Sequence, residues 1–287
     1  MKPLAQCLLS VLLIGCSSNA PDKPDFSGTW DIGSLTPLER PAEFVDQKYF
    51  TPEQAQTFAQ SYDPLTKGTV PWMDHGASVE PDLRTSLITL PEDGKLPLSQ
   101  IQRQQAAQHK ERRAQYADFE ILDIGERCIQ DVVPMYPGPE NNHISIVQTR
   151  DYVLVIREFM NSRRIFKFAE PDEPEQAIGL WMGISFARWD GARLVVTTRH
   201  FRDESELFGG GAGTELVESF ELVEPDLIRY EYTLTDEEAF TEAWTARSHF
   251  RRSPLKRYEF ACHEGNFGTM RSIFRGARMR EAGLLTD

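Results

Sequence analysis

From Ile121 onward the chain alternates apolar and polar residues over short runs, and each run ends in a turn signal. Only a pleated strand turns successive side chains to opposite faces, so this texture predicts a strand in each run. The runs lie near 144–149, 152–159, 163–168, 180–189, 192–201, 215–223, 227–234, 246–252 and 257–262. Asp190-Gly191 between two of them favours a tight type I′ hairpin, and Glu224-Pro225-Asp226 links the next pair. No strand–helix–strand rhythm is present. Strands in series with short connections predict a mainly β, antiparallel meander that curls into a barrel or sandwich.

The region before this meander reads differently. Phe26 to Ile32 is strand-like. Thr51-Pro52-Glu53-Gln54 is a helix start, with Thr51 as N-cap and Gln54 closing a capping box. Residues 63–98 are rich in Pro, Gly and Asp, and Ser99 caps a polar helix running to about Tyr116. The expected organisation is one β-rich domain over 26–287 with a helical and loop insertion at about 51–117. A basic helix from Met270 to about Ala282 completes two or three peripheral helices.

The first residues carry an address. Met1-Lys2 precedes a mostly apolar run from Leu4 to Ile14, too short to span a bilayer, which needs roughly 20 residues. Leu13-Ile14-Gly15-Cys16 resembles a lipobox. That resemblance implies a signal peptide over 1–15 and attachment of fatty acyl chains, such as palmitate, at Cys16, a durable membrane anchor. Residues 16–25 then form a polar tether. Ser17, where Asp would retain the protein at the inner membrane, implies the outer membrane, facing the periplasm. No later apolar segment is long enough to span a bilayer.

The net charge of −13 makes nucleic acid and anionic lipid headgroups poor partners for the chain as a whole. In an oxidising envelope Cys128 and Cys262 are either a disulfide or two buried thiols. The glycine-rich stretch 209–213 is followed by a strand, where a phosphate-binding loop needs a helix. Nothing in the spacing of Cys, His and carboxylates calls for a metal or a cofactor. The oligomeric state is not legible.

Candidate chemistry comes from carboxylates on apolar faces. Glu218 shares a face with Leu216, Phe220 and Leu222, and Glu158 shares one with Tyr152, Leu154 and Ile156. Such a group must find a partner or raise its pKa, so it is either half of a structural ion pair or an acid, base or ligand anchor. Arg157, Arg164 and Arg229 are the available partners. His263, in Cys262-His263-Glu264-Gly265-Asn266, is a third catalytic candidate, with Asn266 expected to cap the C-terminal helix. Tyr230, Arg164, Asn142 and Trp181 are ligand-binding candidates.

Phe26-Ser27-Gly28-Thr29-Trp30 resembles the opening of lipocalins and other calycins, small barrels that hold an apolar ligand. The resemblance implies an Arg packed over Trp30, from among Arg251, Arg252 and Arg257. A longer resemblance joins Arg127-Cys128-Ile129, Ile146 to Thr149, Arg188-Trp189-Asp190-Gly191 and Tyr258 to Phe267 to an uncharacterised family of exported bacterial proteins, which brings no activity with it. Three readings follow. The first is a lipid-anchored envelope protein binding a small, partly apolar ligand in a calycin-like barrel or half-barrel. The second is a hydrolase or lyase using a carboxylate base on a small organic or sugar substrate. The third is a non-catalytic scaffold.

Overall fold

The structure, a computed structural model, describes residues 23–61, 75–114, 121–129, 133–169, 178–205 and 207–284. The proposed signal peptide and Cys16 lie outside the described residues. Ten strands form one sheet: β1 (Gly28–Asp31), β2 (Ile88–Leu90), β3 (His143–Gln148), β4 (Tyr152–Arg157), β5 (Arg163–Lys167), β6 (Ile184–Asp190), β7 (Arg193–Arg199), β8 (Glu215–Glu224), β9 (Leu227–Thr235) and β10 (Trp244–Arg252). β1 pairs with β3 on one side and β10 on the other, so nine strands close into a mainly antiparallel barrel. β2 adds to the free stretch of β10 as a tenth.

The strands from β3 to β10 run in chain order, and the β6–β7 and β8–β9 connections are tight hairpins. At the β6–β7 turn Gly191 has φ +61, a left-handed conformation that glycine adopts without strain. One pairing departs from the meander. β5 and β6 are parallel and meet at two positions only, Phe166↔Ser185 and Lys167↔Phe186. This is the weak seam of the wall.

Inward-facing residues follow the two-residue period. Trp30, Ile144, Val155, Phe166, Ala187, Val196, Phe220, Tyr230, Trp244 and Phe250 are buried in one cluster. Val133 and Met135, from the chain before β3, join it and fill the barrel further. Residues before β3 also wrap the outside of β10. There Leu35, Phe50, Ala55 and Val79 form a second small core, with Phe44 and Phe58 edge-on to Phe50 or to each other. The wrap is fastened to the barrel by His249 Nδ1, 2.8 Å from Glu80 Oε2 in a buried pair.

Helix α1 (Pro52–Ser61) starts at the capping box: Gln54 N–H donates to Thr51 Oγ1 (3.2 Å), and Thr51 N–H to Gln54 Oε1 (2.8 Å). Helix α2 (Gln100–Ala114) is capped by Ser99 and buries no residue. Helix α3 spans Cys262–Glu281. It corrects the sequence expectation of a strand over 257–262 and a helix only from Met270. β10 already pairs with β1, β2 and β9, so no sheet edge remains there for another strand. Cys262 opens the helix instead, in a disulfide with Cys128 (Cα–Cα 5.9 Å). Asn266, expected as a cap, sits one turn inside, donating to the Glu126 carbonyl.

Candidate functional site

Glu218 projects from β8 into the barrel and is fully buried. Arg164, from β5 on the far wall, meets it with both terminal nitrogens: Nη1 to Oε1 at 2.7 Å and Nη2 to Oε2 at 2.5 Å. Tyr230, two strands of pairing from β7 and next to β8, donates its hydroxyl to Glu218 Oε1 at 2.6 Å and accepts the Met135 N–H at 3.1 Å. Thr198 and Ser185 complete the shell of the guanidinium, with Thr198 Oγ1 3.1 Å from Nη2. Burial, then the Glu218 charge, pushes the Tyr230 hydroxyl well above its ordinary value, so it stays a neutral donor.

This closed network changes what Glu218 can do. A carboxylate that accepts two guanidinium bonds and a phenol hydroxyl has most of its lone-pair sites taken by the protein's own donors. The network is a cross-brace between opposite walls. It also makes Arg164 the floor of the cleft described next.

At the β5–β6 seam lies a cleft of about 370 Å³. Ile165, Ile178, Leu180, Met182 and Ile184 supply its apolar sides, with Arg163 and Lys167 along β5 and with Arg164 and Ser185 reached from inside. The cleft exists because two parallel pairings cannot hold β5 and β6 together along their length. Its volume suits a small organic molecule, and its lining pairs an apolar surface with positive charge.

Glu158 does not sit where strand alternation put it. β4 ends at Arg157, and Glu158 enters a single 3-10 turn whose Met160 and Asn161 have φ +61 and +49. The inward face of β4 is Val153, Val155 and Arg157, while Tyr152, Leu154 and Ile156 face outward. Glu158 is nonetheless buried. It accepts from Asn141 Nδ2 (2.9 Å) and lies 3.7 Å from His143 Nδ1, whose Nε2 is 3.0 Å from Ser253 Oγ. This serine–histidine–carboxylate chain has the order of a nucleophile relay without its closure. The His143–Glu158 distance exceeds a hydrogen bond, and the Ser253 oxygen also accepts the Leu255 N–H in a local turn. It ties β3 to the chain beyond β10.

No family model matches this chain, and neither does any curated protein. Among solved structures, a point mutant of the fluorescent protein UnaG is similar: 20% identical, over 39% of this chain and 72% of that one, with a TM-score of 0.25.

The remaining candidates are scattered. Asn142 is buried and closes the 138–142 loop, exchanging hydrogen bonds of 2.9 Å with the Gly138 N–H and carbonyl. Trp181 is half-buried beneath Arg202, whose guanidinium carbon is 4.8 Å from the ring centre. His263 is exposed on α3 and is not among the partners of Glu218 or Glu158. Cys262, held in the disulfide, is not available as a nucleophile or metal ligand. The structure therefore joins Glu218, Arg164 and Tyr230 and leaves Glu158, Asn142, Trp181 and His263 apart from them. Sequence reasoning missed Ser185, Thr198 and the cleft. The hydroxyls could have been found as Glu218 was, since Thr198 lies on the apolar face of Leu194 and Val196. The cleft depends on a long-range parallel pairing that local pattern does not encode.

Proposed function

We propose that this protein is a lipid-anchored envelope protein that binds a small amphipathic ligand carrying an acidic group, taken in at the β5–β6 cleft. The observation that carries the reading is the cleft's composition. Five apolar side chains lie beside Arg163 and Lys167, with Arg164 and Ser185 at the base. Apolar contact supplies affinity, and the cations select an anionic headgroup over a neutral or cationic one. The barrel interior itself is occupied by aromatic side chains and the Arg164–Glu218 brace, which favours the wall over the lumen. In this reading the chain is held at Cys16 to the outer membrane, facing the periplasm.

A thermal-shift series tests it, with dodecanoate, dodecanol and dodecylammonium at equal free concentration. Binding to the folded state alone stabilises by about 2.7 kcal/mol at 100 times Kd, enough to separate the three. The carboxylate is expected to shift the midpoint most and the ammonium least, and Ile178→Asp to remove the difference. If none of the three shifts it, the reading fails.

A further inference from the structure

We infer that the outer wall formed by β3, β4 and β5 docks on the bilayer and presents the cleft mouth to it, so that ligand passes between membrane and protein without crossing bulk water. The inference rests on the anchored, ligand-binding reading and adds to it a membrane-facing surface.

The register defines the surface. Val147 pairs with Leu154, and Leu154 with Ile165, so three apolar side chains form one outward row across three strands. Tyr152 and Ile156 extend it on β4. Val147 is 45% exposed, Tyr152 42% and Ile165 52%, and beyond the seam Ile178 and Leu180 are 55% and 44% exposed. A contiguous exposed apolar band of this kind marks an interaction site rather than scattered surface leucines. Ile165 belongs both to the band and to the cleft lining, so the two are continuous.

Two observations choose a bilayer as the occupant. The first is where the tether joins the barrel. Gln148 Nε2 donates to the Pro24 carbonyl (3.0 Å), and the Phe26 N–H to Gln148 Oε1 (3.2 Å), so the chain leaves at the residue next to Val147. Lys23 reaches the Trp189 ring nearby, 5.5 Å from its centre. From Cys16 to Lys23 an extended chain spans at most about 25 Å. An acylated Cys16 thus holds this end of the barrel within one tether length of the headgroups. The second is charge. In a chain of net −13, Arg163 and Lys167 flank Ile165 on β5 and match anionic headgroups around an inserted apolar side chain.

The test uses the full acylated chain in phosphatidylethanolamine–phosphatidylglycerol vesicles with brominated acyl chains, which quench tryptophan on contact. Ile165→Trp is compared with the parent protein and with Phe267→Trp, at an exposed apolar position on α3. Insertion to the depth of a surface-bound apolar face predicts roughly twofold or greater excess quenching at position 165 and none at 267. Val147→Trp repeats the measurement should the first variant fold poorly. Quenching at 267 alone, at both positions equally, or at neither overturns the inference. So does an emission shift of the Ile165→Trp variant that depends on protein concentration without lipid, which would put a second copy on the wall. The mass of the N-terminal peptide reports acylation of Cys16, and the dodecanoate series reports ligand binding, so either of those readings can fail separately from docking.

Discussion

Arg164 and Glu218, 54 residues apart in sequence, face each other across the barrel as a bidentate pair with Glu218 wholly out of solvent. A buried pair adds little net stability over a well-packed apolar pair, but breaking it leaves one charge stranded. Glu218→Gln or Arg164→Met alone should cost about 3–5 kcal/mol. The double variant Arg164→Met/Glu218→Leu should cost less than either single change. Urea denaturation of the four proteins measures the coupling. Additive losses would mean the two groups do not act as a pair. Tyr230→Phe removes one donor to the carboxylate and should cost about 1.5–3 kcal/mol.

The Cys128–Cys262 bridge spans 134 residues of sequence and ties α3 to the 121–129 segment. In the chain-entropy account a cross-link closing so long a loop stabilises the fold by about 4–5 kcal/mol, by shrinking the unfolded ensemble. Reduction, or Cys128→Ser/Cys262→Ser, should lower the urea midpoint accordingly. Hydrogen exchange should rise first in α3, because most of that helix is exposed and Ile273 is its buried apolar residue. Unchanged α3 protection in the reduced protein would show that packing alone holds the helix.

Arg252 closes the barrel end over Trp30, its guanidinium carbon 4.2 Å from the ring centre, and donates to the Ser27 carbonyl. Gly28 makes room for it. Its φ is +140, and a Cβ there would stand 2.5 Å from Arg252 Nη1. Gly28→Ala therefore meets both backbone strain and a clash, of order 1–3 kcal/mol for the strain. Arg252→Ala should cost about 0.5–1 kcal/mol, since the contact is partly solvated. In the Arg252→Ala background Gly28→Ala should cost less than in the parent, because the clash is gone and only the strain remains. Equal costs in both backgrounds would remove the steric argument.

The strands were legible because pairing partners lay next to each other in sequence. Asp190-Gly191 and Glu224-Pro225-Asp226 fixed two hairpins, and eight of the nine expected strands after Ile121 lie within a few residues of the observed ones. The inward placement of Glu218 followed from period two. What failed failed for non-local reasons. Tyr258 to Ala261 carries a strand pattern, but the edge it needed is taken by β1. Glu158 leaves its expected face because β4 stops one residue earlier, at a left-handed turn through Met160 and Asn161. The parallel β5–β6 seam, and with it the cleft, joins segments whose adjacency no local period announces.

Asp236 carries a pH signature that its hydrogen bonds explain. Burial pushes its carboxyl up, but Thr214 Oγ1–H (2.8 Å) and the N–H groups of Ala239 (3.1 Å), Gly211 (3.3 Å) and Glu238 (3.0 Å) outweigh that, and the folded pKa lies below its ordinary 3.8. The sign follows. The unfolded chain takes up the proton first as pH falls. The carboxylate's contribution is therefore complete above the unfolded value and is lost as pH drops through the folded one. Asp236→Asn keeps one acceptor oxygen in place of two and should cost about 1–3 kcal/mol at neutral pH. Its stability should also fall less steeply than the parent's below the ordinary carboxylate range. Urea midpoints of both proteins at neutral pH and through the acid limb decide the matter, and parallel acid limbs would show that Asp236 stays ionised equally in both states.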